Sequence, residues 1–212
     1  MNFNLQFHGF QFFKTVSGND FPTTLRGRIA SGYGTAVYRG QPVVRIADGT
    51  YTLAAAGATN PISGVVSEIL QFRNANGVLV RNGRLVPAGT TYTDAEQATM
   101  VEIIPVRGHL FRVCSSTVGA ALATARAWEG ENVNHVYGPT GGAADAALGL
   151  SGAFIDVSTH NVDATFQWRL RQLFGDEGGW RADNNPALIW QQWIVEANLV
   201  LDLPGLPAVL GV

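Results

Sequence analysis

Short alternations of apolar and polar residues dominate the first half of the chain and predict β-strands. Residues 32–115 contain about seven short β-prone runs with turn signals roughly every 8–12 residues, the spacing of a small barrel or sandwich. Asp48-Gly49 divides two such runs, as does Asn82-Gly83 further along, and both dipeptides are typical of two-residue hairpin loops. Gly64 lies within another run and predicts a bulge or a close backbone crossing. We therefore expect residues 32–115 to form a small β-barrel-like module.

Residues 1–31 are predicted to form an N-terminal strand or arm followed by a linker. Period-two alternation predicts a half-buried strand, and a break of phase at Gly9 predicts a bulge. A strand so rich in phenylalanine needs an apolar partner surface, which is either the chain's own second half or a neighbouring subunit. Its alternating apolar residues are Phe3, Leu5, Phe7, Phe10 and Phe12.

Residues 116–203 predict a second β region with at most one short helix. Residues 117–129 are rich in alanine and have apolar residues at helical spacing, which predicts a helix; an extended Ala-rich strand is the alternative. Residues 165–170 and 189–203 alternate as strands do. The fold class is therefore predicted to be all-β. The tail, residues 204–212, is apolar, and since disordered tails are normally polar, we expect it to dock.

A low content of charged residues predicts a surface that is largely shared with other subunits. Charged residues make up 14% of the chain, against about 25% in a typical soluble domain. Lys14 is the only lysine, against thirteen arginines, and arginine is favoured over lysine at protein interfaces. A GC-rich genome would produce the same bias. The alternative interpretation is a β protein that neutral polar groups keep soluble.

Charge and hydropathy argue against nucleic-acid and membrane partners. The net charge is −2, without the basic cluster that displaces counterions from phosphates. No stretch approaches the roughly 18 apolar residues of a membrane span. The N-terminus lacks the basic and apolar regions of a signal peptide.

The sequence pattern predicts no catalytic, metal or cofactor site, and hence no enzyme. Asp156, His160 and Asp163 come closest to metal-ligand spacing, but such residues more often cap backbone N–H groups in turns. Cys114, the only cysteine, lies in an apolar run near His109, and burial there would leave its thiol unreactive. The serines that follow it lack the Gly-x-Ser-x-Gly elbow of a serine nucleophile.

Four of the five tryptophans divide into two groups. Trp168 and Trp193 occupy inward-facing strand positions and are predicted core residues. Trp180 lies in a polar loop and Trp190 has the opposite strand parity from the neighbours of Trp193, so both are predicted to be exposed. Exposed tryptophans are enriched at interface hot spots, and they also suit a platform for sugars.

Several stretches resemble tailed-bacteriophage capsid decoration (cement) and minor capsid proteins. Residues 38–44, 47–49 and 62–66, with the sequences YRGQPVV, ADG and ISGVV, are similar to a module of these proteins. Residues 149–156 and 166–170 resemble their second β region. The likeness extends over about residues 32–203.

The resemblance implies a non-enzymatic protein on the outside of a phage capsid. It would bridge subunits of the major capsid protein, usually as a homotrimer, and would be located at the virion surface after synthesis in the host cytoplasm. A carbohydrate-binding or head/tail fibre domain of a virion is the alternative. The predicted partner-binding residues are Phe3, Leu5, Phe7, Phe10, Phe12, Trp180, Trp190, Leu206, Val209 and Leu210.

Overall fold

The computed structural model describes residues 9–93, 98–115, 122–138, 143–145, 149–174, 191–203 and 206–209. In these ranges the chain consists mostly of short β-strands, with one α-helix and one 3₁₀ turn. The all-β prediction is confirmed. The helix, α1 (Leu122–Ala127), lies inside the predicted helical stretch.

The strands are numbered along the chain. Before residue 116 they are β1 (Gln11–Thr15), β2 (Leu25–Arg28), β3 (Val37–Tyr38), β4 (Pro42–Arg45), β5 (Tyr51–Leu53), β6 (Gly64–Arg73), β7 (Leu79–Gly83), β8 (Leu85–Val86), β9 (Met100–Pro105) and β10 (His109–Cys114). After α1 they are β11 (Asn132–Val133), β12 (His135–Tyr137), β13 (Ala143–Asp145), β14 (Leu150–Ser151), β15 (Ala153–Ile155), β16 (Trp168–Leu173), β17 (Gln192–Ala197), β18 (Leu199–Leu203) and β19 (Leu206–Val209), with the 3₁₀ turn at Val157–Thr159.

Six strands form a sheet that closes on itself, here called the barrel sheet. Its order is β2-β9-β6-β4-β5, with β7 also paired to β6. Ile29, just after β2, forms a parallel bridge with Tyr51 of β5, and the Ala30 N–H donates to the Tyr51 carbonyl at 3.1 Å. The two end strands therefore meet. The buried interior side chains are Ile29, Val37, Val43, Val66, Ile69, Phe72, Val86, Val101 and Ile103.

A second, five-stranded sheet has the order β1-β10-β17-β16-β11. All of its pairings are antiparallel. It combines strands from both ends of the chain, because β10, which ends the predicted first module, pairs with β1 on one side and β17 on the other.

The two sheets share side chains of β6 and β9. Val66 and Ile103 point into the barrel interior, whereas their neighbours Val65 and Ile104 join a second core. Consecutive apolar residues are expected in a strand whose two faces are both covered. The second core also contains Trp168 and Trp193, which confirms their predicted burial.

Glycines permit two close backbone approaches. A Cβ at Gly64 would clash with the Ile103 side chain and the Ile104 carbonyl, so the predicted close crossing is confirmed. Gly9 and Gly40 have φ of +77° and +80°, and a Cβ on Gly9 would lie 2.8 Å from the Gly40 oxygen. The Phe10 N–H donates to that oxygen at 2.8 Å. The bulge expected at Gly9 is instead found between Phe12 and Lys14.

The two predicted hairpins have different outcomes. β4 and β5 do form a hairpin, but its loop is longer than two residues, because the Ile46 N–H donates to the Thr50 carbonyl and the Asp48 carboxylate accepts from the Thr50 N–H. The prediction of a hairpin at Asn82-Gly83 is wrong. β7 pairs with β6 and β8 pairs with β3.

The long strand predicted at residues 189–203 is divided at Asn198. Its side-chain amide donates to the carbonyls of Ala164 and Phe166 at 2.9 and 2.8 Å, which diverts the chain between sheets. β17 stays in the five-stranded sheet, whereas β18 pairs with β19. β18 also reaches the barrel sheet, where Ile62 bridges Val200.

Candidate interaction surface

A buried hydrogen-bond cluster around His135 joins the barrel sheet to the five-stranded sheet. His135 Nε2 lies 3.1 Å from the Ala54 carbonyl, and the Trp168 indole donates to Nδ1 at 3.4 Å. The Tyr137 hydroxyl donates to the same Ala54 carbonyl at 2.8 Å. Gln167 Nε2 donates to the carbonyls of Ala55 and Asn60, both at 2.8 Å.

Burial lowers the pKa of His135 to about 4, so the ring is neutral at physiological pH. Burial also raises the pKa of Tyr137. Each described polar group of this cluster has a partner inside the protein, and His135 is fully enclosed. The cluster therefore fixes the relative position of the sheets, and its geometry suits a structural joint.

Three exposed apolar side chains follow one another within ten residues, where the chain runs from the end of β1 to the start of β2. Phe21 is 85% exposed, Val16 53% and Leu25 48%. Large apolar side chains that are exposed on the protein surface are candidate contacts for a partner. We call Val16, Phe21 and Leu25 the crossover strip.

The crossover strip is held on the turn before β10. The Val16 N–H donates to the Gly108 carbonyl at 2.8 Å, and the Thr23 N–H donates to His109 Nε2 at 3.3 Å. Because Nε2 accepts, His109 Nδ1 carries the proton and donates to the Arg107 carbonyl at 3.0 Å. The segment is thus attached near both of its ends, and Phe21 projects from between the attachments.

A groove of about 300 Å³ is lined by Val16, three arginines and Glu196; the arginines are Arg107, Arg169 and Arg171. Arg171 forms an ion pair with Glu196 across β16 and β17. Arg169 Nε donates to the Gly130 carbonyl at 3.1 Å. Apolar and cationic side chains thus meet at one surface, here called the arginine groove, next to the crossover strip.

Two of the predicted partner-binding residues belong to the chain's own packing. Phe10 is 2% exposed and stacks on Trp168 with ring centroids 4.3 Å apart. Its prediction as a partner contact is therefore wrong, since the surface that covers it is the chain's own second half. Phe12 is half-buried, packs against the same core and contacts the His109 ring edge-to-face at 5.8 Å.

The apolar tail docks on the chain itself over the part that is described. β19, which contains Leu206 and Val209, pairs antiparallel with β18. The remaining predicted contacts lie outside the described residues: Phe3, Leu5, Phe7, Trp180, Trp190 and Leu210.

The residues considered for metal binding are engaged in turns. The Asp156 carboxylate accepts from the N–H and hydroxyl of Ser158 at 3.0 and 2.6 Å. Asp163 accepts in the same way from Thr165, and these hydrogen bonds, first of all the one from the backbone N–H, hold the pKa of Asp163 below its usual value. His160 pairs with Glu131 through Nδ1. Over the described ranges no three metal-binding side chains gather at one point.

Sequence reasoning missed the crossover strip because residues 14–31 had the composition of a linker. The available signal was Phe21, a large aromatic residue in the polar run Gly18-Asn19-Asp20 followed by Pro22. The arginine groove had no such signal, since its residues come from β16, β17 and the turn before β10.

Comparisons with protein-family models, with curated proteins and with solved structures found no match to this chain. In the described part of the structure, no helix has the length and apolar character needed to cross a membrane.

Proposed function

We propose that the chain is a structural protein of a phage virion that binds the outside of the capsid and bridges major capsid protein subunits. The observation that carries this proposal is the crossover strip, in which Phe21 is 85% exposed between two backbone attachments. The resemblance of residues 32–203 to capsid decoration proteins points to the same role.

The physical argument rests on preorganisation. A rigid surface loses little conformational entropy when a partner docks. The hydrogen bonds from the segment's N–H groups to the Gly108 carbonyl and to the His109 ring restrain the strip before binding. Burying an aromatic side chain removes about 150–250 Å² from water, at roughly 25 cal/mol per Å². Among the residues of the crossover strip, Phe21 would therefore contribute most to the free energy of binding.

Co-sedimentation with capsids of the encoding phage, stripped of the chain, tests the proposal. We expect the wild-type chain to pellet with the capsids and Phe21→Ala to bind more weakly by about tenfold or more, as for an interface hot spot. Val162→Ala is the matched control, because Val162 is 79% exposed but lies near the 3₁₀ turn, outside the strip. Wild-type protein that stays in the supernatant would overturn the proposal. If Phe21→Ala binds as tightly as the wild type, the crossover strip is not the surface that contacts the capsid.

A homotrimer is part of the same proposal. Sedimentation equilibrium of the free chain tests it, and a monomer at all concentrations counts against a preformed trimer. In that case, monomers would have to assemble into trimers at the capsid surface. An image of the particle would show whether trimers are present there.

Sugar binding through Trp180 and Trp190 stays a prediction, since both lie outside the described residues. A glycan array with the wild-type chain and Trp180→Ala tests it. Binding of a sugar that the variant loses would favour the fibre-domain alternative, and no binding to any sugar would contradict it.

A further inference from the structure

The strand β7 is paired on one side only. It joins β6 in the barrel sheet, and no other strand of the described chain pairs with it. An unpaired strand edge presents a row of backbone N–H and C=O groups that can pair with another chain. We call the unpaired side of β7 (Leu79–Gly83) the β7 edge.

The hydrogen-bond pattern of the β6–β7 ladder determines which backbone groups point outward. At the turn between the two strands, the Asn74 N–H donates to the Val78 carbonyl at 2.9 Å. Hydrogen-bonded and non-hydrogen-bonded pairs alternate along an antiparallel ladder, so the backbone of Val80 is bonded to β6. The N–H and C=O groups of Leu79 and Arg81 therefore point toward the β7 edge.

The pairing register also places two cations on the outer face of the β6–β7 ladder. Phe72 and Val80 pack against the barrel interior. Since side chains alternate between the two faces of a strand, Leu79 and Arg81 lie on the outer face. Arg73 is the partner of Leu79, so it is a diagonal neighbour of Arg81, within reach of a long side chain.

The two arginines on this face have no carboxylate partner. Arg73 donates through Nη1 to the Gly77 carbonyl, which is neutral. Neither Arg73 nor Arg81 forms an ion pair within the part of the chain that the structure describes. Glu68, the only carboxylate of β6, precedes the residues that pair with β7. The two positive charges are therefore available to a partner.

We propose that the β7 edge binds an extended acidic segment of a partner protein by strand addition. The backbone of the segment pairs with the outward groups of Leu79 and Arg81, and its carboxylates, at alternate residues, pair with Arg81 and Arg73. In recognition of this kind, main-chain hydrogen bonds supply affinity and alternate side chains supply specificity. The inference goes beyond the proposed function, because it concerns a second surface and does not depend on the crossover strip.

A second copy of β7 fits this edge poorly. Arg81 is the middle residue of β7, so an antiparallel pair of β7 strands centred on it would place two arginines opposite each other. Like charges directly opposite are destabilising, and a charged side chain on an edge strand deters such self-pairing. A segment that bears carboxylates meets the same arginine with the opposite charge.

Fluorescence anisotropy with labelled peptides tests the inference on the full-length chain. The probes are a peptide of alternating glutamate and threonine, its glutamine–threonine counterpart, and two versions of the acidic peptide N-methylated at alternate residues, one for each edge of the extended peptide. We expect the acidic peptide to bind, with an affinity that falls as salt rises. The glutamine peptide should bind about fivefold more weakly, as for one exposed charge pair.

One of the two N-methylated versions should lose binding, because the edge that faces β7 then has no N–H donors. If both versions bind as tightly as the parent peptide, strand addition is refuted. No binding of the acidic peptide, or equal binding of the acidic and glutamine peptides, would overturn the proposal.

Two substitutions on β7 separate the charge from the backbone contribution. Arg81→Gln should weaken binding of the acidic peptide about fivefold and leave the glutamine peptide unchanged. Leu79→Pro removes an outward N–H and should weaken both peptides about tenfold. We expect it to fold, because proline is tolerated in edge strands where the N–H faces solvent, and urea unfolding checks this. If it does not fold, the N-methylated peptides decide the same question.

Arg39→Gln is the matched control, because Arg39 is an exposed arginine between β3 and β4, outside the β6–β7 ladder. Equal losses in Arg39→Gln and Arg81→Gln, or unchanged binding by a folded Leu79→Pro, would overturn the assignment to the β7 edge. Sedimentation equilibrium tests the second copy as occupant. Self-association of the wild-type chain that Leu79→Pro abolishes would assign the edge to a second copy and refute the acidic partner.

Discussion

Trp168 and His135 are joined by a hydrogen bond inside the core, in which the indole Nε1 donates to Nδ1 at 3.4 Å. The bond requires a neutral imidazole with its proton on Nε2, and that proton is donated to the Ala54 carbonyl 3.1 Å away. Protonation of Nδ1 would place two donors against each other. The ring therefore connects β16 to the loop after β5 only while it is neutral.

We expect the free energy of unfolding to fall as the pH is lowered from 6.5 to 4. Burial lowers the pKa of His135 to about 4 in the folded chain, against about 6.5 in an unfolded one. Between these values the unfolded state binds the proton and the folded state does not, so stability is complete above pH 6.5 and decreases toward pH 4. The loss is about 3 kcal/mol.

Urea unfolding at a series of pH values measures this loss. His135→Gln is the variant to compare, since its amide can still donate toward Ala54 but does not titrate. The variant should be less stable at neutral pH and should have a flatter pH profile down to pH 4. A wild-type profile that is already flat, or a variant that keeps the full slope, would show that His135 is not the responsible group.

We expect Phe10→Ala and Phe21→Ala to differ sharply in stability. Phe10 is 2% exposed and stacked on Trp168, so its truncation leaves a cavity and should cost about 3–5 kcal/mol. Phe21 is 85% exposed, and its truncation should change stability by no more than about 0.5 kcal/mol. Thermal or urea unfolding of both variants tests the contrast. Similar values for the two would contradict the assignment of Phe10 to the core.

We expect Gly64→Ala to destabilise the fold and Gly34→Ala to leave it intact. A Cβ at Gly64 meets the Ile103 side chain and the Ile104 carbonyl, whereas a Cβ at Gly34 has no heavy atom within 4 Å. Overpacking at Gly64 should cost about 1–3 kcal/mol. Gly34→Ala should be neutral or more stable by up to about 1 kcal/mol, because alanine reduces the entropy of the unfolded chain. The midpoints of urea unfolding of the two variants test this expectation. A Gly64→Ala variant as stable as the wild type would refute the close crossing at Gly64.

We expect Cys114 to react with a thiol reagent only when the chain unfolds. Its side chain is 1% exposed on β10, and reaction requires an accessible thiolate. Labelling with a chromogenic disulfide should therefore be slow in buffer and rapid in denaturant. Since the chain has one cysteine, the signal comes from this site alone. Rapid labelling of the native chain would contradict its burial.

The positions of individual strands were predictable from the sequence because strand patterns are local. Period-two alternation predicted a strand at residues 165–170, and the structure confirms only its second half, because β16 begins at Trp168. The same alternation placed Trp168 and Trp193 correctly in the core. The Asp48-Gly49 turn also marks a true hairpin. Each of these features depends on residues within one turn or one strand, so local propensity and burial decide them.

Strand partners and surface chemistry were decided by the tertiary structure, because they depend on residues far apart in the chain. The pairing of β10 with β1 and β17 brings together residues near positions 12, 111 and 195. That pairing buries Phe10 under the second half and collects Arg107, Arg169 and Glu196 beside Val16. The sequence determined an all-β chain with low charge and apolar runs; packing determined which of those apolar residues form the core and which remain for a partner.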